Sequence, residues 1–471
     1  MLMSLAIGLQ QSVWFDEAYS IIVAKQPLVE LLRLTGVDTH PPLYYILLKG
    51  WAALFGWSEF ALRSLSVLAL GGAVIFGGLL IKRMFGVRAA LITLPFLVFA
   101  PFLLRYGFEI RMYALASLIG VAASYVLVLA AEAKAKQRQQ LLYGVYAVLV
   151  AAGMYTLYYT AFLWVAHLIW LVWLTLRLKQ PLFKARWLLA FVGSVLLFAP
   201  WLLTSITQFS NGALAAISQP LTIDNLAGIV SFMFVYQPAW QLSAAMSLVV
   251  LFVIATVTYF MIQLYRHHTK LQRPYIVLLT LYVLVPIALL AFISLAKPMY
   301  TERYIAHIII AGYLLVGIAV ALTLARKATF NRQLTGVLLV VVMLFGIANL
   351  AHVGNYNFQR MQKPTVAEAA AAVVCDQDNA VLAADPYVAI ELAYYLPDCQ
   401  IYFHSETASL GGGYAPLSNS PLHVDNPVDQ LAGYQSVSYI YYGEPKLELV
   451  DFTMVGQQQF GALTVETFSA E

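Results

Sequence analysis

The stretch FALRSLSVLALGGAVIFGGLLI, Phe60 to Ile81, is followed at once by KRMFGVR, which carries Lys82, Arg83 and Arg88. At about 1.5 Å of rise per residue, so long an apolar run crosses the roughly 30 Å hydrocarbon core of a bilayer as one helix. Lys and Arg gather on the cytoplasmic side of such helices, so this one stretch gives both a fold class and a direction.

The pattern recurs along the chain. Of the 471 residues 61% are hydrophobic and only 11% are charged, which excludes an ordinary soluble protein and points to a polytopic membrane protein. The apolar runs predict about 11 transmembrane helices: a short first segment ending near Val13, then 60–81, 89–105, 112–131, 141–158, 160–177, 187–204, 241–264, 275–296, 305–325 and 333–353. Five alternate connections hold 16 of the 27 Lys and Arg, and of the 23 acidic residues only Glu132 falls in them. That asymmetry puts these five connections inside and the segments 16–59, 105–111, 205–240 and 297–304 outside. The net charge of +4 says little about partners, because its distribution carries the information.

Polar residues gather in the outer segments. SVWFDEAYS sets Asp16 beside Glu17, and DTHPPLYYILLKGW carries His40 before two prolines. RYGFEIRMYAL carries Glu109 and Arg111, and KPMYTERYI carries Lys297, Arg303 and Tyr304. A carboxylate in an aromatic, partly apolar setting suits a general base acting on a hydroxyl. The cations of Arg111, Lys297 and Arg303 suit a phosphate. Together they suggest group transfer from a phosphate-bearing donor, and at a bilayer surface a lipid phosphate is the natural carrier. The bland alternatives are a solvated helix cap for the acidic pair, a Glu109–Arg111 pair, and interfacial anchoring for the cations. Tyr158, Tyr159, Trp164 and Trp170 read as aromatic-belt anchors.

The order FDEAYS, HPPLYYILLKGW, EIRMYAL and ERYI resembles the bacterial branch of the GT-C membrane glycosyltransferases, related to protein O-mannosyltransferases and to the aminoarabinose transferase of lipid A. The resemblance covers about residues 12–325. It implies a sugar donor on polyprenyl phosphate, an acceptor hydroxyl on a glycan, lipid or protein, and inverting single displacement at the outer face of the cytoplasmic membrane. It implies Asp16 as the catalytic base, with Glu17 orienting it or binding an acceptor or a cation. Arg303, then Lys297 and Arg111, would meet the departing phosphate, with His40, Tyr304 and Glu109 contributing to donor binding. Two adjacent carboxylates and one distant His are a poor metal signature, so no metal site is assigned, although Asp16 and Glu17 are the pair that would hold a divalent cation. A transporter or flippase of a lipid-linked glycan is the alternative; it would favour mid-span charges and internal repeats, which are not evident.

Residues 1–353 thus read as the transmembrane domain, with 14–59 as its catalytic outer loop, and 354–471 as a small extracytoplasmic α/β domain. Within the latter, strands begin near Ala380 and Gln400, helices cover TVAEAAAAVV and YVAIELAYYL, and SVSYIYYG and ALTVETFS are later strands. Cys375 and Cys399 fall just before the first two strands, so parallel neighbouring strands would bring them within disulfide reach; two free buried thiols are the alternative. Residues 224–236 read as a re-entrant or interfacial helix, or as a surface loop. Only 15 residues precede Asp16, about 22 Å of helix, so an incomplete first span is expected there.

Overall fold

A computed structural model describes residues 1–182, 185–210, 244–326, 329–351, 365–426 and 430–470, with isolated positions between 222 and 234. Most of the expected helix over 224–236 lies outside the described residues. Two compact units form: Met1–Leu5 with Ser64–Ala351, and Ala6–Arg63 with His352–Glu471.

The chain opens with helices α1 (Leu2–Gly8), α2 (Phe15–Lys25), α3 (Leu28–Val37) and α4 (Leu43–Phe55), then α5 (Glu59–Phe85). The bundle continues with α6 (Val87–Val98), α7 (Pro101–Tyr106), α8 (Tyr113–Glu132), α9 (Lys136–Thr156), α10 (Thr160–Arg177) and α11 (Trp187–Ser210). Next come α12 (Ala244–His267), α13 (Arg273–Ser294), α14 (Ala306–Leu324) and α15 (Thr329–Ala351). Among the described residues seven helices are long and apolar enough to cross a membrane: α5, α8, α10, α11, α12, α13 and the stretch Glu302–Leu324 that contains α14. This is a multi-pass membrane protein.

In the first unit α14 is the central post. It is apolar all round, which marks a helix enclosed by others, and it packs against α6, α8, α12 and α13. Gly317 lets α6 approach: a Cβ built there would stand 2.8 Å from the backbone Cα of Thr93. The expected span 89–105 is two helices. Ala100, extended at φ −63° and ψ 111°, precedes Pro101, and a residue before proline is driven out of the helical region. Tyr158, Tyr159, Trp164 and Trp170 are buried within the bundle instead of forming an aromatic belt, and the Trp170 indole donates to the Pro274 carbonyl at 2.8 Å. Glu132, the acid among the basic connections, is paired there with Arg83 at 2.6 Å.

The second unit joins α2–α4 to the C-terminal sheet. Its further helices are α16 (Val366–Ala371) and α17 (Pro386–Tyr395). The strands are β1 (Asn379–Ala383), β2 (Ile401–His404), β3 (His423–Val424), β4 (Ser436–Tyr442), β5 (Phe452–Phe460) and β6 (Leu463–Ala470), in the spatial order β3-β2-β1-β4-β6-β5. The first four are parallel, and β6 and β5 are antiparallel. Strand alternation divides the core: Val381, Ala383 and Ile440 face Val388 and Leu392 of α17, whereas Leu382, Tyr439 and Tyr441 form a second cluster on the other face. Cys375 and Cys399, just before the parallel neighbours β1 and β2, are joined in a disulfide with Cα atoms 5.8 Å apart. Strand β5 was not expected, because FTMVGQQQF is mostly exposed and so lacks an alternating apolar pattern. The units also part at Ala351 and His352, beside the sequence boundary near 353, while the first connection, with Asp16 and His40, groups with the C-terminal segment.

Candidate active site

Asp16 and Glu17 occupy the first turn of α2. The positive end of a helix favours carboxylates there. Their surroundings differ. Glu17 is 1% exposed and meets the buried guanidinium of Arg63 twice, Oε2 to Nη2 at 2.8 Å and Oε1 to Nε at 3.2 Å. Arg63 also donates to Glu59 Oε2 at 3.1 Å, to the carbonyls of Gln11 at 3.0 Å and Ser12 at 3.2 Å, and to that of Gly8. A buried charge needs this degree of pairing. Glu17 is therefore tied to Arg63 at the start of α2.

Asp16 is half-buried, and the Ser20 hydroxyl donates to its carbonyl at 2.8 Å. Beside it Phe15 stacks on Tyr387 with ring centroids 4.7 Å apart and planes at 4°, and meets Tyr414 at 5.2 Å. Burial first, then the negative charges of Asp385, Asp16 and Glu391, pushes the Tyr414 hydroxyl above its ordinary value, so Tyr414 stays protonated beside Asp16.

The Phe15 amide donates to Glu391 Oε1 at 3.1 Å, and the Tyr442 hydroxyl donates to Oε2 of the same carboxylate at 2.8 Å. The Val13 amide donates to the Tyr395 hydroxyl at 2.6 Å, which in turn donates to Glu59 Oε1 at 3.0 Å. Burial, followed by Glu59, raises the Tyr395 hydroxyl well above its usual range and keeps that proton in place.

In the same unit His40 is buried, its Nδ1 3.2 Å from Asp38 Oδ2 and 3.0 Å from Thr39 Oγ1. These contacts set the ring's orientation. Pro41 and Pro42 follow directly, and Pro42 leads into α4, which packs on α2.

The other candidates lie in the first unit. Glu109 pairs with Arg105 at 2.7 Å, both buried. Arg111 is 2% exposed just before α8, and its amide donates to the Glu109 carbonyl at 2.6 Å. Tyr304 is buried between Tyr113 at 6.2 Å and Tyr159 at 5.1 Å, and the Tyr159 hydroxyl donates to the Met299 carbonyl. The Arg303 guanidinium lies 5.8 Å from the Tyr304 ring centre. Lys297 donates to the Phe209 carbonyl. Connections 105–111 and 297–304 thus concentrate Arg105, Arg111, Lys297 and Arg303 against Glu109 and Glu302, an excess of positive charge suited to an anion.

Residues 39–204 match a family model described as dolichyl-phosphate-mannose-protein mannosyltransferase. Across its whole length the chain is similar to the crystal structure of ArnT from Cupriavidus metallidurans in the apo state. The TM-score is 0.64 at 14% identity, over 99% of this chain and 96% of that one. The chain has the ArnT fold. The same ArnT bound to undecaprenyl phosphate is similar at TM-score 0.63 and 15% identity, over 99% and 96% of the two chains. Among curated proteins none matches. The family model matches residues 39–204 alone, whereas the likeness in fold spans the whole chain.

Within this fold several residues escaped the sequence reading. Arg63 carried a visible signal, a charge inside an apolar run, and such residues are rarely idle. Glu391 and Tyr395 carried a weaker one, a polar stripe of Tyr387, Glu391 and Tyr395 at helical spacing on α17.

Proposed function

We propose that the chain transfers a sugar from a polyprenyl-phosphate donor to an acceptor hydroxyl at the outer face of the cytoplasmic membrane, with Asp16 as general base. The observation that carries this reading is the anchored start of α2: the backbone before Asp16 is held by Glu391 and Tyr395 and the Glu17 side chain after it by Arg63, as preorganised base catalysis requires. The lipid carrier is supported by the undecaprenyl phosphate bound to ArnT in a similar structure.

In this mechanism Asp16 takes the proton of the acceptor hydroxyl as its oxygen attacks the anomeric carbon. The bond from that carbon to the phosphate oxygen breaks, the configuration inverts, and polyprenyl phosphate leaves with the bonding pair. Arg303, Lys297 and Arg111 stabilise the negative charge that gathers on the leaving phosphate. His40, held by Asp38, hydrogen-bonds donor or acceptor. The C-terminal domain is extracytoplasmic in this reading.

Incubating the protein in nanodiscs with a radiolabelled polyprenyl-phosphate sugar and extracted cell-envelope acceptors tests the reading. Label should move into the acceptor fraction while free polyprenyl phosphate accumulates in equal amount. Movement of intact donor between leaflets without label transfer would instead establish the flippase alternative.

A further inference from the structure

We infer that one face of α17 is a splint that positions the base-bearing turn, and that Glu391 is its principal positioning residue. The inference rests on the reading of Asp16 as base.

Helix α2 begins without a cap of its own. Its N-cap position is Trp14, whose indole can donate a hydrogen bond but not accept one, so its side chain makes no capping bond to the first-turn amides. The missing acceptor comes from far along the chain. Glu391 Oε1 accepts from the Phe15 amide, the first residue of α2, across 376 positions of sequence. Tyr395, one turn further along α17, accepts from the Val13 amide, and Tyr387, one turn back, stacks on the Phe15 ring. Ser12 adds a fourth tie, its hydroxyl accepting from the Ala367 amide at 3.3 Å. Residues 387, 391 and 395 share one helix face, so a rigid rod grips residues 13–15 at three successive points. Asp16 is the next residue.

Glu391 is itself held. It is 0% exposed, and Tyr442 of β4 donates to its second oxygen. Such a carboxylate serves as an N-cap supplied in trans, offering both an acceptor and a negative charge to the positive end of α2. Without it the first turn frays, and the side chain displaced is the one that must meet the acceptor proton. A misplacement of about 1 Å at a reacting group costs on the order of 100-fold in rate.

The test uses the full chain in nanodiscs, with sugar transfer and amide hydrogen exchange over residues 12–18 measured on the folded fraction. For Glu391→Ala, exchange at 13–17 should rise and kcat should fall about 100-fold, with KM for the donor changed less than about threefold. Glu391→Gln should recover most of kcat, because its amide oxygen still accepts from Phe15; a purely structural role would not give that split or that rescue. If Glu391→Ala does not fold, Tyr395→Phe asks the same question with one hydroxyl removed, and kcat should fall about tenfold with faster exchange at Val13. Unchanged exchange or unchanged kcat in the folded variant overturns the inference. Asp16→Asn, run alongside, separates the two claims: if it transfers sugar normally the base assignment fails, whereas an inactive Asp16→Asn beside a fully active Glu391→Ala refutes the splint alone.

Discussion

At the scale of single residues, two neighbouring carboxylates have opposite fates. Glu17 turns to Arg63, 46 positions away, and is sealed from water, while Asp16 stays half-buried. Breaking a buried pair leaves a charge without compensation, so Glu17→Gln and Arg63→Met should each destabilise the second unit by about 3–5 kcal/mol. Urea unfolding in detergent checks this, and the double variant should lose less than the sum of the two. The acidic pair was legible in the sequence; the Glu17–Arg63 pairing was not, because nothing local shows that a carboxylate meets an arginine 46 positions away. Glu109 makes the same point: the sequence sets it beside Arg111, and the chain's turn after α7 also brings it to Arg105, a contact that no local pattern announces.

At the scale of elements, the apolar runs were legible because a membrane span is an unbroken hydrophobic stretch, and α8 and α10 fall within a residue or so of expectation. The break between α6 and α7 lay in plain view at Pro101 but was overridden by the continuous apolar character of 89–105. Strand β5 was hidden because an exposed strand at the sheet edge has no buried face to write an alternating pattern. Close approach of α6 and α14 depends on Gly317. Gly317→Ala forces a methyl against the Thr93 backbone and should cost about 1–3 kcal/mol, read as a lower melting temperature of the purified protein. The Cys375–Cys399 bridge ties the starts of β1 and β2. Replacing both with Ser should lower the stability of the sheet domain by about 3 kcal/mol, measured by protease resistance of residues 365–470.

At the scale of the whole molecule, the chain folds into units that its linear order conceals. The change of composition near 353 marks where the units part, but the first connection between helices groups with the C-terminal segment, which composition does not show. Composition reports burial class but not which distant segments share a core, and Phe15 meeting Tyr387 is a contact of that second kind. The proposed phosphate-binding cations carry a prediction separate from that of the base. Arg303→Ala should lower the transfer rate about 100-fold in initial-rate assays without altering the fold, whereas Arg303→Lys, which keeps charge but loses the planar fork, should recover only part of it. The central claim is tested most directly by comparing sugar transfer from radiolabelled polyprenyl-phosphate donor by the wild-type chain and by Asp16→Asn of equal melting temperature. The account predicts a loss of about 100-fold to 10,000-fold with donor binding retained, and transfer at the wild-type rate would contradict it.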